Sequence, residues 1–157
     1  IEHPGTPILH REKFSSADGL GAFFGIEYRP PAEVADAEYP FTLMTGRLIF
    51  HYHTRTQTDR CAVLHYEVPE PYVQINTIDA KKLGIKEGEK IRLLSRRGEV
   101  DTLARITSEV APGVLYMSMH FGTGSVNLLT NTALDPMSKM PELKHCAVAV
   151  KKISGVN

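Results

Sequence analysis

The sequence predicts a mainly β fold: a small barrel of about six strands, closed or nearly closed, with two or three short helices. Three observations carry this. The apolar runs are short and are separated by glycine and proline turns. One of them, Glu99–Thr107, alternates Val100, Thr102, Ala104 and Ile106 with Asp101, Leu103, Arg105 and Thr107, the period of two of a half-buried strand. Several neighbouring runs are joined by tight turns, which favours mostly antiparallel pairing and a barrel.

Residues 1–40 read as a connector. Pro4, Pro7, Pro30, Pro31 and Pro40 alternate with four glycines and interrupt regular structure, leaving room for one short strand at Gly25–Tyr28. Phe41–Thr45 is a compact strand ending at Gly46. Arg47 to Arg60 is polar, and a short helix is expected between Arg60 and Glu67, stopped by Pro69 and Pro71. Tyr72–Asn76 is the next strand. Asn76 then caps a helix with Asp79 as its third residue and Gly84 at its end. Lys90–Ser95 and Glu99–Thr107 form a hairpin around Arg96-Arg97-Gly98. Ala111-Pro112-Gly113 turns the chain into a strand from Val114 to Met119. Residues 120–144 are loop-rich, and Cys146–Ile153 supplies a last strand through Ala147–Val150.

Composition narrows the function. With 42% hydrophobic and 23% charged residues in 157, the chain suits one globular domain. Basic and acidic residues number 18 each. That balance argues against sequence-independent binding of nucleic acid or anionic membranes. No apolar run has the length of a membrane span, and the first residues lack the basic-then-apolar pattern of a signal peptide. Cytoplasmic placement is the expectation. The charge is unevenly spread: −4 over residues 1–40, +3 over 41–105 and +1 over 106–157. The basic middle suits an anionic small ligand. The start at Ile1-Glu2-His3-Pro4, without Met, reads as a piece of a longer polypeptide.

The chemistry concentrates in Thr45-Gly46-Arg47 and His51-Tyr52-His53-Thr54-Arg55-Thr56. A glycine after a strand lets backbone approach a ligand. An arginine fork pairs bidentately with phosphate oxygens, and threonine hydroxyls with loop amides add donors. A solvated basic loop is the plainer alternative, and composition alone favours it. His51 and His53 share a strand face if extended, yet no further ligand lies at a familiar metal spacing. Stacking on a heterocycle, or hydrogen bonding to one, suits them better. Phe121-Gly122-Thr123-Gly124-Ser125 lacks the third glycine and the lysine of phosphate-binding motifs, so a flexible turn is the default. Asn127 can read a heterocycle edge but is also an ordinary turn residue. Cys61 and Cys146, both beside apolar residues, are expected to be buried and inert. Met117, Met119, Met137 and Met140 are expected to fill core or pocket. Asp79, Asp101 and Asp135 read as cap, strand-surface and turn residues. The chain contains no nucleophile triad, paired-carboxylate motif or Walker loop.

Taken in order, several segments resemble one family: Tyr39–Arg47, His51–Thr58, Ile75–Ile85, Ser95–Gly98, Asn127–Thr130 and Asp135–Lys144. Together they are similar to the C-terminal molybdopterin-dinucleotide-binding domain of molybdenum and tungsten oxidoreductases, and within these to formate dehydrogenase alpha subunits. The resemblance spans residues 38–153. It implies a double-psi beta-barrel over residues 38–157 behind a connector over 1–37. It also implies a bis-molybdopterin guanine dinucleotide with molybdenum or tungsten as cofactor. By the same resemblance Thr45, Gly46, Arg47, His51, His53, Thr54 and Thr56 line the dinucleotide and pterin, His120 and Asn127 approach a pterin edge, and Lys144 closes over the site. The metal-ligating Cys or selenocysteine and the iron–sulfur cluster belong to other parts of such enzymes. Neither Cys61 nor Cys146 has a matching context, so the fragment alone should be inactive. Its partners would be the preceding domains of the same polypeptide, with electron-transfer subunits beyond. Two other readings stand beside this one: a free-standing barrel that binds peptides or proteins as an adaptor, and a small pterin-binding subunit of a formylmethanofuran dehydrogenase-like enzyme.

Overall fold

In the computed structural model, residues 4–153 are described. The start of the connector at Ile1–His3 and the last four residues of the barrel segment lie outside them. The chain divides into two compact units, Ile1–Pro30 and Pro31–Asn157. Within the described part of the first unit the chain forms turns but no strand. The strand expected at Gly25–Tyr28 is absent, because that stretch pairs with no other strand.

The second unit holds a closed barrel. Its strands are β1 (Phe41–Gly46), β2 (Tyr72–Asn76), β3 (Lys90–Leu94), β4 (Glu99–Thr107), β5 (Val114–Ser118) and β6 (Cys146–Lys152), in the spatial order β1-β5-β2-β4-β3-β6. Four neighbouring pairs are antiparallel. The pairs β1/β5 and β2/β4 are parallel. These two parallel crossings between non-consecutive strands are the double-psi arrangement.

Alternation along β2, β3, β4 and β5, and a continuous buried run in β6, build the core. Leu43, Val73, Ile75, Ile91, Leu93, Leu115, Met117 and Val148 all point inward and are fully buried. Each such side chain contributes roughly 1.5–3 kcal/mol on leaving water. Met119 packs against this cluster, whereas Met137 and Met140 are exposed on the loop before β6, contrary to expectation. That loop is held by its own polar turn instead, with Asp135 Oδ1 accepting from Met137 N at 3.0 Å and Ser138 N at 2.6 Å.

Helix α1 (Ala62–Glu67) buries no residue, and Cys61, its N-cap, is exposed rather than buried. The helix is too short and too peripheral to cover the thiol. Helix α2 (Thr77–Leu83) is terminated as the sequence indicates. The Asn76 side chain accepts from Ile78 N at 2.8 Å, and Gly84 adopts φ +66°, the left-handed conformation that glycine tolerates. Asp79, in the first turn of α2, is buried, and its Oδ2 accepts from Gly113 N at 2.6 Å and fastens the turn into β5.

Candidate functional site

Parallel pairing of β1 with β5 sets Gly46 beside Ser118, so both strands end at the same rim of the barrel. Two long segments without strands, residues 47–71 and 119–145, adjoin that rim. β6 runs antiparallel to β1, with Leu43 beside Cys146, and returns Lys144 to the same place. The motifs of the two segments, far apart in sequence, therefore share one end of the barrel.

Thr45 is buried. Its Oγ1 donates to Leu143 O at 2.6 Å, and its own carbonyl accepts from Lys144 Nζ at 3.1 Å. Gly46 has a different reason from the one expected. A Cβ built there would run into the ring and hydroxyl of Tyr116. The glycine thus makes room for a protein side chain, and the Tyr116 hydroxyl donates to Arg47 O at 2.6 Å. Burial pushes the Tyr116 phenol above its ordinary pKa, so it remains a donor. The Arg47 side chain is exposed and makes no ion pair among the described residues.

His51 and His120 are buried beside each other, ring centroids 6.1 Å apart. Their partners fix opposite tautomers. His51 Nε2 lies 2.8 Å from Val68 O, which can only accept, so Nε2 carries the proton and Nδ1 accepts from Thr58 Oγ1 at 3.2 Å. His120 Nε2 lies 2.7 Å from Leu48 N, which can only donate, and Nδ1 lies 2.6 Å from His53 O, so Nδ1 carries the proton. Both imidazoles spend their nitrogens within the fold.

His53 is exposed, packs its ring edge-on to Tyr52 at 4.4 Å, and has φ +44°. Arg55 has φ +65°. Left-handed backbone at two non-glycine residues in one turn is costly and collects at functional sites. Thr54 and Thr56 join their hydroxyls at 2.8 Å. Asn127 sits on a 3-10 turn (Val126–Leu128) with its amide exposed and unpartnered among the described residues.

A cleft of about 960 Å³ opens between this rim and the outer face of β4. Thr54, Thr56 and His120 line it, together with Arg55 of the same chemistry-bearing stretch and with Asp59, Arg60 and His65, which the sequence reading did not single out. Arg55 stacks its guanidinium on Phe121 at 4.3 Å and donates to Asp59 and to Pro69 O. Its Nε is buried without a hydrogen-bond partner. Asp59 Oδ1 also lies 2.8 Å from His65 Nδ1, and these two contacts hold the Asp59 carboxyl below the usual range. Thr45, Gly46, Arg47, His51, His53, Asn127 and Lys144 do not line the cleft; they lie around the same end of the barrel or beneath it. The turn expected at Phe121–Ser125 forms, with Gly122 in open space and Gly124 closely packed. A Cβ at Gly124 would meet Pro71 Cγ at 3.1 Å and Asp101 O at 3.2 Å. Among the described residues no group of three or more His, Cys, Asp or Glu is placed to hold a metal ion, and no helix is long and apolar enough to cross a membrane.

Residues 41–147 match the family model described as "Molydopterin dinucleotide binding domain". The F420-dependent formate dehydrogenase 2 subunit alpha of Methanococcus maripaludis is 55% identical over 152 residues, covering 97% of this chain and 22% of that protein. Formate dehydrogenase H of Escherichia coli is 39% identical over 151 residues, covering 96% of this chain and 21% of its own length. Among solved structures, acetylene hydratase from Pelobacter acetylenicus matches with a TM-score of 0.72 at 17% identity, over 81% of this chain and 21% of that one, a likeness of fold. The chain thus spans about a fifth of the length of these relatives.

Proposed function

The chain belongs to the molydopterin dinucleotide binding domain family, and from that premise we propose that it forms one wall around a bis-molybdopterin guanine dinucleotide in a larger formate dehydrogenase-like oxidoreductase. The observation that carries the reading is the 55% identity to a formate dehydrogenase alpha subunit, sustained over 97% of this chain. Formate oxidation to carbon dioxide is then the work of the parent enzyme. The metal ligand residue, the iron–sulfur cluster and any electron-transfer subunits lie outside this domain. We place the protein in the cytoplasm, in keeping with two unpaired cysteines.

The donor set fits an anionic, hydrogen-bond-rich group. Arg47 presents an unpaired fork. Thr54 and Thr56 present hydroxyls, and the Arg55 Nε is an unspent buried donor. In this reading Arg47, Thr54 and Thr56 hold the phosphate oxygens, while His53 and Asn127 meet the heterocycle edges. Lys144 closes over the site with the two Nζ protons it does not give to Thr45. Thr45, Gly46, His51 and His120 fix the backbone that carries these groups. When bound, the cofactor supplies metal-centred redox chemistry, molybdenum or tungsten; this chain binds and orients it.

The test is the double variant Arg47→Ala, Asn127→Ala in the parent enzyme. Its expected outcome is an unchanged fold by circular dichroism with less bound guanine nucleotide and metal. Wild-type cofactor content would sink the assignment. The adaptor reading would gain if GDP moved no amide resonance between Thr45 and Thr56.

A further inference from the structure

We propose that Tyr116 and His120 are positioning residues: together they mould the segment Gly46–His53 and so present Arg47 and His53 to the ligand. The inference rests on the reading of that segment as ligand-facing. Its basis is a set of hydrogen bonds from the end of β5 to one continuous stretch of backbone. Tyr116 Oη donates to Arg47 O at 2.6 Å. Met119 N donates to Gly46 O at 3.0 Å. His120 Nε2 accepts from Leu48 N at 2.7 Å, and His120 Nδ1 donates to His53 O at 2.6 Å.

Each contact has a steric or electronic reason to be specific. The Tyr116 ring fills the space where any larger residue at position 46 would put its Cβ, so ring and glycine are matched. His120 is 1% exposed, so both of its bonds are made inside the protein. Only the neutral Nδ1–H tautomer satisfies an amide donor on one edge and a carbonyl acceptor on the other. His53 would not hold its left-handed φ without a reason in the surrounding structure, and the bond from His120 to its carbonyl supplies one. One imidazole thus spans both ends of a turn whose tips are the exposed Arg47 and His53.

Two conservative variants separate the two edges of the ring. In His120→Gln the side-chain oxygen reaches the position of Nε2 and still accepts from Leu48. In His120→Asn the amide nitrogen takes the position of Nδ1, so the bond to His53 survives and the one to Leu48 is lost. Hydrogen exchange of the Leu48 amide, measured on the full chain, is expected to quicken roughly three- to tenfold in His120→Asn and to stay near wild type in His120→Gln. Tyr116→Phe is expected to shift the Arg47 carbonyl carbon resonance while the Leu48 amide stays protected. Equal Leu48 exchange in wild type, His120→Asn and His120→Gln overturns the proposal. GDP separates it from the cofactor reading. Shifts at Arg47 and His53 in wild type, with at least threefold weaker affinity in His120→Asn, support both. The expected exchange pattern with no GDP response supports the moulding of the segment and removes the cofactor reading.

Discussion

Arg97 grips Glu33 with two donors, Nη1 at 2.5 Å and Nη2 at 3.2 Å, and the same carboxylate accepts from Ala147 N at 3.0 Å and Arg96 Nη1 at 2.9 Å. Arg97 continues to Leu129 O at 2.7 Å. One acidic side chain therefore joins the segment before β1, the β3–β4 turn and β6. Burial pushes the Glu33 carboxyl up, but Arg97, the Ala147 amide and Arg96 outweigh it and leave the pKa below its ordinary 4.5. A lowered folded pKa means the stabilisation is complete above 4.5 and is lost as pH falls through the folded value. Glu33→Gln is expected to cost about 1–3 kcal/mol at neutral pH. Urea titrations should show wild type and variant converging in acid; a difference that persists there would contradict this account.

Gly46→Ala forces a methyl group into the Tyr116 ring. Overpacking of this kind costs about 1–3 kcal/mol. The companion Tyr116→Ala empties the space. A double-mutant cycle by thermal unfolding should return a favourable coupling between the two changes. Strict additivity would show that the ring moves aside freely.

Asn76 serves two turns at once. Its Oδ1 accepts from Ile78 N at 2.8 Å, and its Nδ2 donates to Val110 O at 2.7 Å. Asn76→Ala is expected to lose about 1–2 kcal/mol, the upper range for a helix cap. Asn76→Asp keeps the cap but turns a carboxylate toward the Val110 carbonyl, so it should recover only part of the loss. Chemical denaturation of the three proteins gives the order directly.

The two thiols should differ sharply. Cys146 is fully buried, and burial pushes its pKa up to about 11, so almost no thiolate exists at neutral pH. Cys61 is exposed. Maleimide at pH 7 is expected to label the native protein once, with the label lost in Cys61→Ser. Two labels before unfolding would mean that β6 opens readily.

Much of the fold was legible in the sequence. Strand alternation in Glu99–Thr107, the Asn76 cap and the Gly84 stop are local signals, each decided within a few residues, and each element formed where the pattern placed it. Exposure of isolated residues was less legible. Cys61, Met137 and Met140 sit in apolar-looking neighbourhoods but on elements that meet no facing layer. The strand proposed at Gly25–Tyr28 lacked a pairing edge, which only the closed barrel determines.

Periodicity, caps and ordered motifs are written in consecutive residues, so the barrel strands and the family are readable from the chain alone. Which residues of the loop motifs share a rim, and which partners they take, follows from strand pairing instead. Thr45 meets Lys144, Gly46 meets Tyr116, and His120 meets Leu48 and His53 across separations that no local pattern encodes. The physical reason is the parallel register of β1 and β5. It brings two loop origins side by side, and hydrogen-bond complementarity between them fixes the tautomer of His120 and the role of Gly46.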